Sequence, residues 1–153
     1  MGTVDTLKAD RAALSTTEAK LLASADEEYM RPWQLTYFKE RLLQMRETCL
    51  SDLDSLWPGL ATTSPVADPT DRASREEEQA RLFRLRQRES LLLKRIEAAL
   101  LRIKAGTYGF CEDTGEPIGL PRLLARPMAS LTLEAQQQRE LRKNAYTDPN
   151  HGH

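Results

Sequence analysis

With 153 residues and 40% apolar content, the chain is long enough for one domain, or for one small domain carrying a long extension, and too short for a large multi-domain enzyme. A formal charge of −1 and a pI near 6.2 give no basic field, which argues against sequence-independent capture of nucleic acid and for a protein partner. Cys49 and Cys111 are the only cysteines, so there is no disulfide framework, and a reducing cytoplasm is expected.

Residues 1–13 are expected to be disordered; they carry scattered charges and no apolar core of signal-peptide length. No later segment approaches the roughly 20 apolar residues that span a bilayer, so no membrane association is expected. A helix is expected over Leu14 to Ala25, with Ser15 and Glu18 in a capping-box relation, and residues 14–32 form the first part of a globular base. Arginine outnumbers lysine sixteen to six, a weak hint of fixed ion pairs or phosphate recognition.

From Pro32 the apolar residues Leu35, Phe38, Leu42, Met45, Cys49, Leu53 and Leu56 recur at steps of three and four, a heptad seam with one irregularity. Trp57-Pro58 and the loop residues after them are expected to end that helix. A second seam runs through Leu82, Leu85, Glu89, Leu92, Ile96, Ala99 and Ile103, interrupted in apolar character by Glu89 alone. Gly106 stops it, with Lys104 in the last turn where the dipole favours a cation. Two matched seams joined by a polar loop fold most simply as an antiparallel hairpin over residues 33–105, and their presence within one chain favours a monomer.

The hairpin tip reads Ala-Asp-Pro-Thr-Asp-Arg-Ala over residues 67–73, followed by Ser-Arg and three glutamates. Asp68 suits a helix N-cap, Pro69 its first position and Asp71 the open N–H groups. The same carboxylates, at the end of a long arm, can also be delivered into a deep channel to meet a metal ion or basic residues there. Beyond the hairpin, residues 106–146 hold a turn-rich segment and a last amphipathic helix from about Ser130 to Ala145; the tail 147–153 is expected to be disordered. In Gly-Phe-Cys-Glu-Asp-Thr-Gly the chain begins a Cys-x-x-Cys knuckle and supplies Thr114 where the second thiolate would stand.

Taken together, Asp-Glu-Glu-Tyr-Met at 26–30, the tip at 68–73 and Tyr-Gly-Phe-Cys-Glu with Gly-Glu-Pro-Ile-Gly-Leu-Pro-Arg-Leu-Leu-Ala-Arg-Pro at 108–127 resemble the DksA/TraR group of bacterial RNA polymerase regulators. The resemblance covers roughly residues 26 to 142 in the family's order. It implies a mainly α fold: a long coiled-coil hairpin on a small globular base. It also implies a cytoplasmic transcription regulator, not an enzyme, that enters the secondary channel of RNA polymerase. There, with the nucleotide alarmone ppGpp, it modulates stringent-response promoters such as those of ribosomal RNA, without sequence-specific DNA contact. Matching tip residues are Asp68, Asp71 and Ala73, with Asp71 expected to carry activity; Arg88 matches a polymerase-contact position. Leu92, Arg95 and Arg126 match the ppGpp site, while Gln136 stands where a lysine is usual and weakens one phosphate contact. The bland alternatives are core packing for Leu92 and solvated ion pairs for the arginines.

The four cysteine positions of the family's zinc finger read Cys111, Thr114, Thr132 and Ala135 here. On that count no zinc or other cofactor is expected on the isolated chain, and the sequence resembles a zinc-independent branch of the family, suited to zinc starvation or oxidative stress. His151 and His153 sit in a Gly/Pro/Asn-rich tail without fixed geometry. Threonine hydroxyls bonded to turn amides, with Leu120, Leu123, Leu124, Leu131 and Leu133, are expected to hold the region instead. Cys111 is expected to be a half-buried structural relic rather than a redox sensor, its acidity opposed by Glu112 and Asp113, and Cys49 a small core residue. Two other functions fit the residues: a secondary-channel transcript-cleavage factor using the tip carboxylates, and a generic coiled-coil adaptor.

Overall fold

The computed structural model describes residues 16–61 and 68–147. The expectations placed on residues 1–13, on Leu14 and Ser15, on the tail from Asp148 and on His151 and His153 lie outside those residues. The described chain forms α1 (16–23), a 3-10 turn (Asp26–Glu28), α2 (Pro32–Leu60), α3 (Pro69–Ala105), α4 (Leu120–Ala125) and α5 (Leu133–Thr147). Thr147, expected in the tail, closes α5. The fold is mainly α as expected, and among the described residues the strand-like pairing is a single antiparallel bridge, Phe110 to Pro117.

The two seams face each other as α2 and α3 in an antiparallel hairpin. Phe38, Leu42, Cys49, Ile96 and Ala99 are buried, and Leu35, Met45 and Leu92 pack beside them, because each helix covers the apolar stripe of the other. Helix α3 starts as the sequence predicts: Asp68 is the N-cap, its Oδ1 accepting from the Thr70 N–H at 3.0 Å, with Pro69 following. It ends at Gly106, whose φ of +79° is the left-handed cap conformation that costs glycine nothing.

The end of α2 differs from expectation. Pro58 has no N–H to offer the Asp54 carbonyl, yet the helix continues to Leu60, and the Ala61 N–H bonds the Trp57 carbonyl at 2.9 Å. A proline weakens a helix interior, and on the sequence alone it marks a stop. Here Leu60 and Gly59 are half-buried, and the Gly59 carbonyl, orphaned at the helix end, accepts from Gln79 Nε2 of α3 at 2.6 Å. Packing and the Gln79 bond hold the last turn of α2 against α3 beyond the proline.

The base gathers the rest of the core: Leu21 from α1, Tyr108, Cys111, Ile118, Leu123, Leu131 and Ala135 beside Phe38 and Leu42. Gln34 is fully buried and fully used, accepting from the Met30 N–H and donating to Ser24 Oγ, both at 3.0 Å. The buried Tyr108 hydroxyl donates to the Pro127 carbonyl at 2.7 Å. Leu123 and Leu131 are buried and Leu120 and Leu124 half-buried, but Leu133 is 53% exposed. At the first position of α5 its side chain points away from the base, whereas Ala135 two residues on turns inward.

Candidate functional site

Three regions carry chemistry, and α3 links them. The acidic end lies at its N-terminus, where Asp68, Asp71 and Ala73 are exposed. Asp68 spends one carboxylate oxygen on the cap and keeps the other, while Asp71 sits in the first turn beside the positive end of the helix dipole. Arg88 is exposed midway along the same helix.

Toward the other end, Arg95, Arg102, Arg122, Arg126 and Arg139 line a groove of about 420 Å³, together with Ser130 and Gln136. The five guanidiniums come from α3, α4, the residue following α4, and α5. Three of them are engaged: Arg102 with Glu112 at 3.6 Å, Arg139 in a two-pronged pair with Asp113, and Arg122 with the Leu131 carbonyl at 2.9 Å and Gln136 Oε1 at 2.5 Å. Arg95 and Arg126 hold no carboxylate among the described residues. Two free planar forks beside three fixed cations can grip a phosphorylated anion through paired N–H donors.

The structure thus brings together Arg95, Arg126 and Gln136 of the residues that the sequence singled out. It does not bring Leu92, which lines a shallow depression on the arm with Met45, Cys49 and Glu89. Arg102, Arg122 and Arg139 were missed. They lie in different segments and carry no common motif, so only the fold makes them neighbours.

The turn at 106–119 closes on itself by backbone hydrogen bonds, Cys111 N–H to Glu116 O at 2.8 Å and Gly115 N–H to Cys111 O at 2.9 Å. Both threonine hydroxyls bond turn or helix amides: Thr114 Oγ1 accepts from the Glu116 N–H at 3.3 Å, and Thr132 Oγ1 from the Ala135 N–H at 3.2 Å. Thr132 also lies 3.8 Å from Cys111 Sγ. Burial pushes the Cys111 thiol up, but the Thr114 side chain and the N–H groups of Thr132, Thr114 and Asp113 outweigh it, and its pKa falls to about 7. The expected opposition from Glu112 and Asp113 does not prevail; their carboxylates pair with Arg102 and Arg139.

With this geometry in view, the relatives are informative. Residues 34–103 match the family model of the DnaK suppressor protein DksA, N-terminal domain, and residues 106–141 that of the prokaryotic dksA/traR C4-type zinc finger. The RNA polymerase-binding transcription factor DksA of Caulobacter vibrioides (strain NA1000 / CB15N) is 44% identical over 126 residues, which are 82% of this chain and 89% of that protein. This chain belongs to the DksA family. The DksA of Escherichia coli (strain K12) is 36% identical over 118 residues, 76% of this chain and 78% of that one. The solved structure of transcription factor DksA2 from Pseudomonas aeruginosa superposes with a TM-score of 0.73 at 41% identity, covering 83% of this chain and 98% of that one.

The zinc-finger match corrects the expectation that zinc has no place in this region: by family it is a C4-type zinc finger. The four positions offer the metal few donors. Cys111 brings one thiol, Thr114 and Thr132 bring hydroxyls already bonded to amides, and Ala135 has no donor atom. Among the described residues no three His, Cys, Asp or Glu side chains stand together as a metal site. A closed zinc site takes four sulfur or nitrogen ligands, so this donor set does not fit it. No helix of the described residues is long and apolar enough to cross a membrane.

Proposed function

We propose that this DksA-family chain binds RNA polymerase in the cytoplasm, passes its hairpin into the secondary channel and, together with ppGpp, alters open-complex stability at promoters such as those of ribosomal RNA. The observation that carries the reading is the layout of α3. Asp71 stands near one end and Arg95 some 36 Å away at 1.5 Å per residue, so one rigid helix bears both an acidic probe and an anion-binding groove. Relatives named as RNA polymerase-binding transcription factors support the partner.

In this reading Asp71 acts near the polymerase active centre, Asp68 and Ala73 shape the tip, and Arg88 contacts polymerase along the arm. Arg95 and Arg126 take the alarmone phosphates between the two proteins. Gln136, held by Arg122, contributes a hydrogen bond where a charge would contribute more. The factor works as a monomer and reads no DNA sequence.

The test is purified chain with RNA polymerase on a ribosomal RNA promoter, with and without ppGpp. The open-complex lifetime shortens, more so with ppGpp, and Asp71→Asn loses that effect while binding persists. Absence of binding at micromolar concentration overturns the reading. Cleavage of the transcript in stalled complexes assigns the tip carboxylates to a cleavage factor instead.

A further inference from the structure

Among the described residues, hydrogen bonds cross the arm at two heights. Cys49 Sγ donates to the Glu89 carbonyl at 3.1 Å and Gln79 Nε2 to the Gly59 carbonyl at 2.6 Å. From Cys49 to Gly59 is ten residues along α2, and from Glu89 back to Gln79 is ten along α3, so both belong to one register. At the second height the Leu82 side chain packs onto Gly59: a Cβ there would lie 2.7 Å from Leu82 Cδ1. Helix α2 ends one residue later, at Leu60, whereas α3 runs on to Pro69. Gly59, Gln79 and Leu82 therefore make the last interhelical contact of this kind before the end of α2, and Asp71 lies eight residues, roughly 12 Å, further along α3.

We propose that the Gly59–Gln79–Leu82 contact is a positioning clamp: it fixes how far, and at what rotation, the acidic first turn of α3 projects beyond α2. A helix pair slides or rotates most easily where its seam is uniformly apolar, and a polar contact in the seam selects one register. Gln79 is the specifying element because its donor has one partner of the right height. Gly59 supplies the exposed helix-end carbonyl and the space for Leu82. The functional part rests on the tip reading above; the geometric part does not.

Two measurements on the full chain separate them. Spectroscopic labels introduced as non-natural residues at Glu40 and Ser74, leaving both cysteines in place, report the base-to-tip distance. The parent gives a narrow distribution, and Gln79→Leu broadens or shifts it. Gly59→Leu shifts it too, and adding Leu82→Ala to Gly59→Leu restores the parent distribution. An unchanged distribution in Gln79→Leu and Gly59→Leu overturns the clamp, whatever polymerase does.

In the promoter assay, run beside the parent and Asp71→Asn, Gln79→Leu weakens the open-complex effect about fivefold, the factor expected for one lost hydrogen bond, with polymerase affinity kept. The Gly59→Leu, Leu82→Ala pair recovers activity that Gly59→Leu loses. Full activity in a variant whose distance has shifted overturns the link between clamp and tip. A parent with no effect on polymerase overturns the function but leaves the distance result to decide the clamp.

Discussion

The Tyr29 hydroxyl donates to the Gly109 carbonyl at 2.5 Å, and the same oxygen accepts from the Gly119 N–H at 3.0 Å. One side chain from the turn preceding α2 thereby ties both ends of the 109–119 turn, 80 and 90 residues away, to the foot of the arm. Its ring also meets Phe110 edge to face at 5.6 Å. Tyr29→Phe keeps that stacking and strands the Gly119 N–H, while the Gly109 carbonyl still accepts from the Ile118 N–H at 2.8 Å. The substitution lowers unfolding stability by about 1–3 kcal/mol in urea titrations, the cost of an unsatisfied polar group. A loss below about 0.5 kcal/mol shows that water replaces the hydroxyl there.

Cys49 gives the arm a pH dependence of known sign. Burial first, and then the hydrogen bond and charge of Glu89, push its thiol pKa up to about 11 from an ordinary value of 9.0. The folded state holds the proton more tightly than the unfolded one. This contribution is therefore full below pH 9 and is lost as pH rises through 11, up to about 2 to 3 kcal/mol for two pKa units. Cys49→Ala, which removes the titrating group, shows a smaller fall in stability between pH 8 and 11 than the parent. Parallel stability curves for the two chains contradict this account.

The arginine groove yields a prediction about the alarmone. Arg126 lacks a carboxylate partner, so Arg126→Ala leaves no buried charge behind and the fold intact. Losing charge-assisted hydrogen bonds worth about 1.5–3 kcal/mol raises the ppGpp concentration for half effect roughly ten- to a hundredfold. The ppGpp-independent effect on open complexes stays. Gln136→Lys, in the same groove, lowers that concentration. Equal ppGpp response in all three chains rejects the groove as the alarmone site.

Asp68 can be tested for cap against charge. Asp68→Ala removes the oxygen that accepts from the Thr70 N–H and costs about 1 kcal/mol of local helix stability. Hydrogen exchange at the Thr70 and Asp71 amides reads it. Asp68→Asn keeps a capping oxygen and so keeps protection; under the proposal that Asp71 is the residue that acts, it also keeps promoter activity. Activity lost in Asp68→Asn with protection intact moves the functional charge to Asp68.

Much of the arm was legible in the chain. Burying one face of a helix against another repeats every three or four residues, and Leu35 to Leu56 and Leu82 to Ile103 keep that beat. Asp68-Pro69 and Gly106 mark helix ends because capping chemistry is local. The end of α2 was not legible, since Pro58 reads as a stop and yet the helix runs two residues further, to Leu60, where Gln79 of another helix bonds the Gly59 carbonyl. Leu133 carries an inward pattern yet faces out, and Leu92 stands apart from the groove that its position suggested. The acidity of Cys111 is hidden for the same kind of reason: one of the N–H groups that lower its pKa belongs to Thr132, 21 residues away, and only the fold brings it to the thiol.

The sequence by itself determined the helical hairpin, its acidic end and the turn that follows it, because periodic burial, caps and turns depend on residues close along the chain. Only the tertiary structure decided the composition of the arginine groove, the way Tyr29 ties the 109–119 turn to the arm, and the register set at Gly59, Gln79 and Leu82. Those depend on directional hydrogen bonds and charges between residues up to 90 positions apart, which no local pattern encodes.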